Sequence, residues 1–290
     1  MFTVMGVTGQ VGGAVARNLL ASGHKVRAVV RDVRKAAEWH ERGCELAAAD
    51  INDAGALTQA FQDTQGAFVM LPSLFDPEPG FPEAGRLIAN LHDALQAARP
   101  ELVVALSTIG AQVETTNLLT QLHNMETVLG TLPIPITFLR PAWFMENASW
   151  DVTPARETGI IPSYLQPLDK LFPMIATRDI GQVGAEVLCE PWQGTRVVEL
   201  EGPGRISPND IARTFAGLLQ RDVRMQAVPR ETWEPLFRSQ GMKNPVPRIQ
   251  MLDGFNNGWI EFEGGASGPR KGTVELKSVL KSLIDRPKGK

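Results

Sequence analysis

The sequence predicts a doubly wound parallel α/β sheet followed by a smaller, mostly helical part. Three observations carry that expectation. Short apolar runs alternate with stretches of helical spacing through the first half of the chain, and six such units agree. Strands recurring at this spacing need crossover connections, which make the sheet parallel. The first run breaks into Gly6, Gly9 and Gly12, and Gly13-Ala14-Val15-Ala16 then opens a helical pattern. Past Trp150 the rhythm changes, and proline and glycine punctuate residues 152–173.

The elements follow in order. The spacing predicts a first strand over Phe2 to Val7 and a helix over Val11 to Leu20, stopped by Ser22-Gly23. Lys25 to Val30 reads as the second strand, with a helix over Arg34 to Arg42 behind it. Cys44 to Ala49 reads as the third strand, ending at Asp50, then Ala54 to Gln62 as helix and Ala67 to Leu71 as the fourth strand. A proline-rich segment, Pro72 to Pro82, precedes a helix from Glu83 to Ala98. Leu102 to Leu106 gives the fifth strand, Asn117 to Leu129 a helix and Ile134 to Leu139 the sixth strand. Later, Arg178 to Cys189 reads as a helix and Arg196 to Leu200 as a strand. Ser207-Pro208 has the residues of a capped helix start, and further helices are expected over Pro229 to Gln240 and Thr273 to Ile284. The expected division is a nucleotide-binding domain over 1–150 and a substrate or lid domain over 151–290, of which about 175–205 returns to the sheet.

Composition narrows the function. The chain has 290 residues, 43% of them hydrophobic, enough for one large unit or two modest domains. A net charge of -3 supplies no basic field for nucleic acid or for an anionic membrane. Cys44 and Cys189 lie far apart and form no C-x-x-C, which fits buried thiols in a reducing compartment. His24, His40, His92 and His123 are scattered without ligand spacing, so no metal site is expected. Met1 leads straight into the first strand, and no stretch approaches the ~20 apolar residues of a membrane span. The expectation is a cytoplasmic protein.

In a sheet of this kind ligands bind beyond the carboxyl ends of the strands. The turn Gly6, Thr8, Gly9, Gln10, Val11, Gly12 is a candidate diphosphate site: bare backbone can approach, and a helix start offers N–H groups. After the second strand stands Arg31, whose guanidinium suits the 2′-phosphate of NADP(H), with Lys35 one turn on. The adjacent Asp32 serves NAD(H) instead if the strand ends one residue later. The expectation is NADP(H) in preference to NAD(H). Asp50 follows the third strand, where it can accept from an adenine amino group or cap the next helix. Leu71 and Pro72 would lie under the middle of the cofactor, and Ser107 and Thr108 beside the nicotinamide ribose.

The segments GVTGQVGG, VVRD, DIND, STIGA and FLRPAWFMEN resemble the NmrA-like branch of atypical short-chain dehydrogenase/reductases. Ile175 to Leu188 and the terminal G-x-x-x-T-V-E-L-K stretch extend the resemblance over essentially the whole chain. It implies a Rossmann domain with a small C-terminal substrate domain. Members include NADPH-dependent quinone reductases, triphenylmethane-dye reductases and redox-sensing regulators without demonstrated catalysis. Carried over, the glycine turn would hold the diphosphate, Arg31 the 2′-phosphate, and Asp50 with Ile51 the adenine. Trp143, Phe144 and Asn147, behind Arg140-Pro141, would border the nicotinamide and the substrate.

The larger superfamily protonates its product with a Tyr-x-x-x-Lys pair on the helix after the fifth strand. That pair is missing: Tyr164 is the only tyrosine, no lysine lies between Lys35 and Lys170, and the stations fall near Leu118 and Leu122. Hydride transfer to a quinone or a cationic dye survives this loss. The first gives a stable phenolate that water can protonate, and the second needs no proton. His123 and Glu126, three residues apart on one helix, are the remaining proton-handling candidates, unless they only decorate the helix. Ser107 keeps the serine station but, without its partner, is equally suited to a local hydrogen bond. Phe75 and Phe81 in the proline-rich segment are placed to cover an aromatic acceptor, if that segment is a lid and not a stiffened surface loop. The expected function is NADPH-dependent reduction of a quinone-like or other aromatic molecule. The alternative is an NADP(H)-sensing regulator with a protein partner. A nucleotide-sugar epimerase is disfavoured by the same missing pair.

Overall fold

The computed structural model describes residues 1–265 and 268–286. Eight strands form one sheet: β1 (Phe2–Met5), β2 (Val26–Val30), β3 (Glu45–Ala48), β4 (Gly66–Met70), β5 (Leu102–Leu106), β6 (Ile136–Pro141), β10 (Thr195–Glu201) and β12 (Arg270–Lys271). Their order across the sheet is β12-β10-β6-β5-β4-β1-β2-β3, and every pairing is parallel. Val4 pairs with Ala28 on one side and Phe68 on the other, so the order reverses between β1 and β4. A ligand crevice opens at such a reversal.

Helices cover both faces. On one lie α1 (Gln10–Ala21) and α7 (Thr177–Cys189), so close that a Cβ on Gly181 would stand 2.2 Å from the Ala14 Cβ. Val15, Leu19, Ile180 and Val187 fill this layer. On the other lie α3 (Ala54–Phe61), α4 (Pro82–Ala98) and α5 (Thr120–Leu129), packed through Leu57, Phe61, Leu87, Leu91 and Met125. The strands are apolar runs because both faces are covered.

The remaining elements build a separate core. They are α6 (Val152–Glu157), α8 (Pro208–Leu219), α9 (Trp233–Ser239), α10 (Val246–Asn257) and α11 (Leu276–Asp285). Two small sheets join them: β7 (Trp143–Phe144) with β9 (Met174–Ile175), and β8 (Ile160–Ser163) with β11 (Arg224–Ala227). Phe172, Phe215, Trp233, Phe237 and Leu280 are among its fully buried residues. Ser207 caps α8 through the Asp210 N–H, while the Asp210 carboxylate accepts from the Ser207 N–H.

Several local expectations shift. The helix expected over Arg34 to Arg42 is interrupted: Asp32 caps a 3-10 turn over Val33–Lys35, and only α2 (Ala37–Glu41) is α-helical. The Asn117 side chain accepts from Leu119 N–H and donates to the Thr115 carbonyl, which delays α5 to Thr120. α10 has no sequence signature because Ile249, Met251, Leu252 and Phe255 are buried all round it, without a single apolar stripe. Cys44 is buried, but Cys189 is exposed, 3.4 Å from His24 Nε2, which corrects the expectation of two buried thiols. Among the described residues no helix is long and apolar enough to cross a membrane.

Candidate functional site

The glycine turn is shaped by close backbone approach. Gly6 takes φ +68°, a conformation side chains rarely adopt, and a Cβ there would lie 2.6 Å from Met70 Sδ. The Gly9 N–H donates to the Gly6 carbonyl at 2.9 Å and closes the turn. At Gly12 a Cβ would stand 2.4 Å from the Met5 carbonyl oxygen, so α1 starts directly on the end of β1. Gly9 differs. Its Cβ would meet only the Gly6 oxygen at 3.3 Å, and Thr8, Gly9 and Gln10 are exposed. No side chain caps α1 and no acidic residue stands in its first turn. Free N–H groups and the positive helix end therefore face open space, an arrangement that fits a diphosphate. The Gln10 side chain is tied down, accepting from Thr177 Oγ at 3.2 Å.

The charges beyond β2 and β3 have distinct partners. Asp32 binds Arg34 through both oxygens, at 2.9 and 3.0 Å, and accepts from the Arg34 N–H, contacts that hold its carboxyl below the usual range. That carboxylate is already engaged by its own turn. Arg31 and Lys35 are exposed and have no ion pair among the described residues. Asp50 accepts from the Asn52 backbone and side chain at 2.9 and 2.7 Å, which lowers its pKa, with the Arg31 charge acting in the same direction. It does not cap α3; Asp53 does, through the Ala56 N–H. The Ile51 carbonyl accepts from Asn90.

A cavity of about 490 Å³ opens at the carboxyl ends of β4, β5 and β6. Leu71, Pro72, Phe75, Ser107, Thr108, Trp143, Phe144 and Asn147 all line it, although they come from three separate segments. Leu118 and Leu122, at the stations where the larger superfamily carries its proton donor, form part of the same wall. Trp143 packs edge-on against Phe255 of α10, with centroids 5.2 Å apart. The proline-rich segment is held from both sides. Gln121 Nε2 donates to the Leu74 carbonyl at 3.0 Å, and the Asp76 carboxylate accepts from Lys243 N–H and Asn244 N–H at 2.8 and 2.7 Å. Phe75 is in the wall, whereas Phe81 is buried at the start of α4 and belongs to the core.

Two charged residues that sequence reasoning missed also face this space, Asp151 and Arg248. Burial pushes the Asp151 carboxyl up to about 7. Burial also presses Arg248 below the usual guanidinium range, with the nearby Tyr164 opposing it. No motif marks either residue, because each reaches the cavity through the packing of the C-terminal core.

Four expected site residues lie outside the cavity wall. Arg140 does not face a cofactor: strand alternation turns it onto α5, where Nε and Nη2 bind Glu126 at 2.8 and 2.6 Å and Nη1 binds Glu263 at 2.8 Å. Burial works against its charge, but the two carboxylates more than offset this and raise its pKa. Glu126 is thereby consumed as a proton handler, since it also accepts from Ser107 Oγ at 2.5 Å. Ser107 thus lines the cavity wall but spends its hydroxyl on Glu126. His123 is turned away, with Nδ1 2.8 Å from the Ala111 carbonyl oxygen, and neither it nor Glu126 lines the cavity. Pro141, buried beside Arg140 at the end of β6, is likewise absent from the wall.

A parallel sheet with an uncapped glycine turn at its order reversal, and an apolar cavity beside it, defines a nucleotide-binding α/β protein with room for a second ligand. Residues 1–257 match the model of the NmrA-like family, and the chain belongs to that family. It is 27% identical over 244 residues to the NAD(P)H azoreductase of Xenophilus azovorans, covering 83% of this chain and 82% of the relative. It is 23% identical over 292 residues to quinone oxidoreductase 2 of Escherichia coli K12, covering 99% and 94%. Among solved structures, the Escherichia coli NADPH-dependent quinone oxidoreductase in complex with NADPH superposes with a TM-score of 0.81 at 21% identity, over 98% of this chain and 100% of the other. The triphenylmethane reductase of Citrobacter sp. gives 0.80 at 20% identity, over 98% and 99%.

Proposed function

We propose that this chain is an NADP(H)-dependent oxidoreductase that reduces flat aromatic acceptors of the quinone or azo type. One observation carries the reading: the Met70 side chain lies against Gly6 of the glycine turn and also lines the apolar cavity, so the two are neighbours. The names of its relatives, an azoreductase, quinone oxidoreductases and a dye reductase, point the same way. A bound nicotinamide cofactor supplies a hydride. The N–H groups after Thr8 hold the diphosphate, Arg31 and Lys35 the 2′-phosphate, and Asp50 with Ile51 the adenine edge. Leu71, Pro72, Ser107 and Thr108 form the floor. Phe75, Trp143, Phe144 and Asn147 orient the acceptor and exclude water, which is how a site without a proton relay still accelerates transfer. Reduction of a quinone leaves a phenolate, which takes its proton from water.

The test is NADPH or NADH oxidation by purified protein with a panel of quinones and azo compounds. Acceptor-dependent loss of the reduced-nicotinamide absorbance, faster with NADPH, is expected; no loss with any acceptor overturns the reading. Leu118 and Leu122 in the wall also suit a protein that binds NADP(H) without turnover and reports its redox state to a protein partner. That reading requires partner capture to differ between the oxidised and reduced cofactor.

A further inference from the structure

The charges of the cavity are unmatched. Arg248 and Asp151 both line it, yet they do not pair: no ion pair joins them among the described residues, and neither perturbs the titration of the other. Arg248 sits on α10, half-buried, with its guanidinium 4.5 Å over the Phe237 ring. Among the described residues its one hydrogen-bond partner is Met242 Sδ at 3.7 Å, a weak acceptor. Arg140 and Arg196, also largely withdrawn from water, are answered by carboxylates, Arg140 by Glu126 and Glu263 and Arg196 by Glu190, and the half-buried Arg156 is answered by the Ile284 carbonyl. A guanidinium drawn out of water without a carboxylate loses hydration that packing alone does not restore, and it remains charged at any physiological pH.

We infer that Arg248 anchors an anionic group, a carboxylate or sulfonate, carried by the aromatic acceptor. The inference rests on the cavity being the acceptor site. The planar fork of the guanidinium matches two oxygens of such a group. The Tyr164 side chain stands in the same wall, close enough to feel the Arg248 charge, with its hydroxyl beside Gln240. An acceptor so held has its charged end at α10, and its ring lies among Trp143, Phe255 and the carboxyl ends of the strands. The same charge disfavours cationic dyes.

Binding is measured first without turnover, by calorimetry with naphthoate and with its methyl ester, in the presence of NADP+. Wild type is expected to bind the carboxylate more tightly than the ester. Arg248→Leu is expected to lower the acid-to-ester affinity ratio by roughly 10- to 100-fold, the range of a charge-assisted hydrogen-bond pair, and Arg248→Lys to restore part of it. In turnover, the kcat/KM ratio of a sulfonated naphthoquinone to the unsubstituted one is expected to fall by a similar factor through KM. Equal binding of acid and ester by wild type overturns the anchor, and this comparison stands even if a variant fails to fold. Equal losses for both ligands in a folded variant overturn it too. Discrimination in binding without oxidation of any acceptor leaves the anchor and removes the oxidoreductase reading. Turnover without discrimination does the reverse.

Discussion

The glycine turn and the apolar cavity meet at Met70 but are built from opposite materials. The turn is backbone: Gly6 and Gly12 remove side chains so that strand, turn and helix touch, Gly9 leaves the helix start bare, and what remains is a set of N–H groups. The cavity is side chain: it is walled by residues between Met70 and Phe255, and its two charges come from different elements. A backbone site recognises what all nucleotides share. A side-chain site discriminates by shape and charge.

The widest break in this comparison is Arg140→Ala. Arg140 belongs to neither region, yet it ties β6 to α5 behind both, with a side chain only 6% exposed and Glu126 11%. Removing it strands Glu126 and is expected to cost about 3–5 kcal/mol, read as a fall in the urea midpoint. A paired Arg140→Met, Glu126→Leu variant is expected to recover much of that loss. Next comes the contrast within the turn. Gly12→Ala drives a Cβ into backbone and is expected to cost about 3 kcal/mol together with NADPH binding. Gly9→Ala is expected to cost less than about 1 kcal/mol while still weakening NADPH, because its Cβ points into the space the diphosphate needs. Equal destabilisation by the two would erase the distinction.

The same difference of material explains what was legible in the sequence. The alternating sheet and the glycine turn are local patterns, and β5 (Leu102–Leu106) and the Ser207 cap are where the pattern places them. Trp143, Phe144 and Asn147 were legible through their resemblance to a family, and Phe75 through its place in a proline-rich segment. Asp151 and Arg248 were not: no spacing marks them, and their environment is created by α10 and the small β8–β11 sheet, whose apolar residues follow no single period. Arg140 was misplaced because standing just past a strand says nothing about which face its side chain takes. That face was set by Glu126, fourteen residues earlier.

Asp151 gives a pH test of the side-chain region. Its carboxyl titrates near 7 folded and near 3.8 unfolded, so between those values the native state holds more protons. Stability contributed by the neutral carboxyl is therefore present at low pH and lost as pH rises from about 4 to about 7. Asp151→Asn is expected to gain on the order of 1–3 kcal/mol over wild type at about pH 8 and little at about pH 4, measured by urea unfolding. Parallel curves for the two proteins would show that water reaches this carboxyl freely.

The most local effect on binding lies at the exposed end of β2. Arg31 stands past β2 without an ion pair among the described residues, while its neighbour Asp32 is locked to Arg34 by both oxygens. The two readings of this strand end, a cation for a 2′-phosphate or a carboxylate for a ribose hydroxyl, therefore compete with one side chain already engaged. Arg31→Ala is expected to weaken NADPH about 10-fold, near 1.4 kcal/mol, and NADH by less than about 2-fold. Because Arg31 is exposed, the loss should shrink as salt screens it. Asp32→Ala should leave the ratio nearly unchanged. If Asp32→Ala instead weakens NADH selectively, the Arg34 lock opens on binding and the cofactor preference is the opposite one.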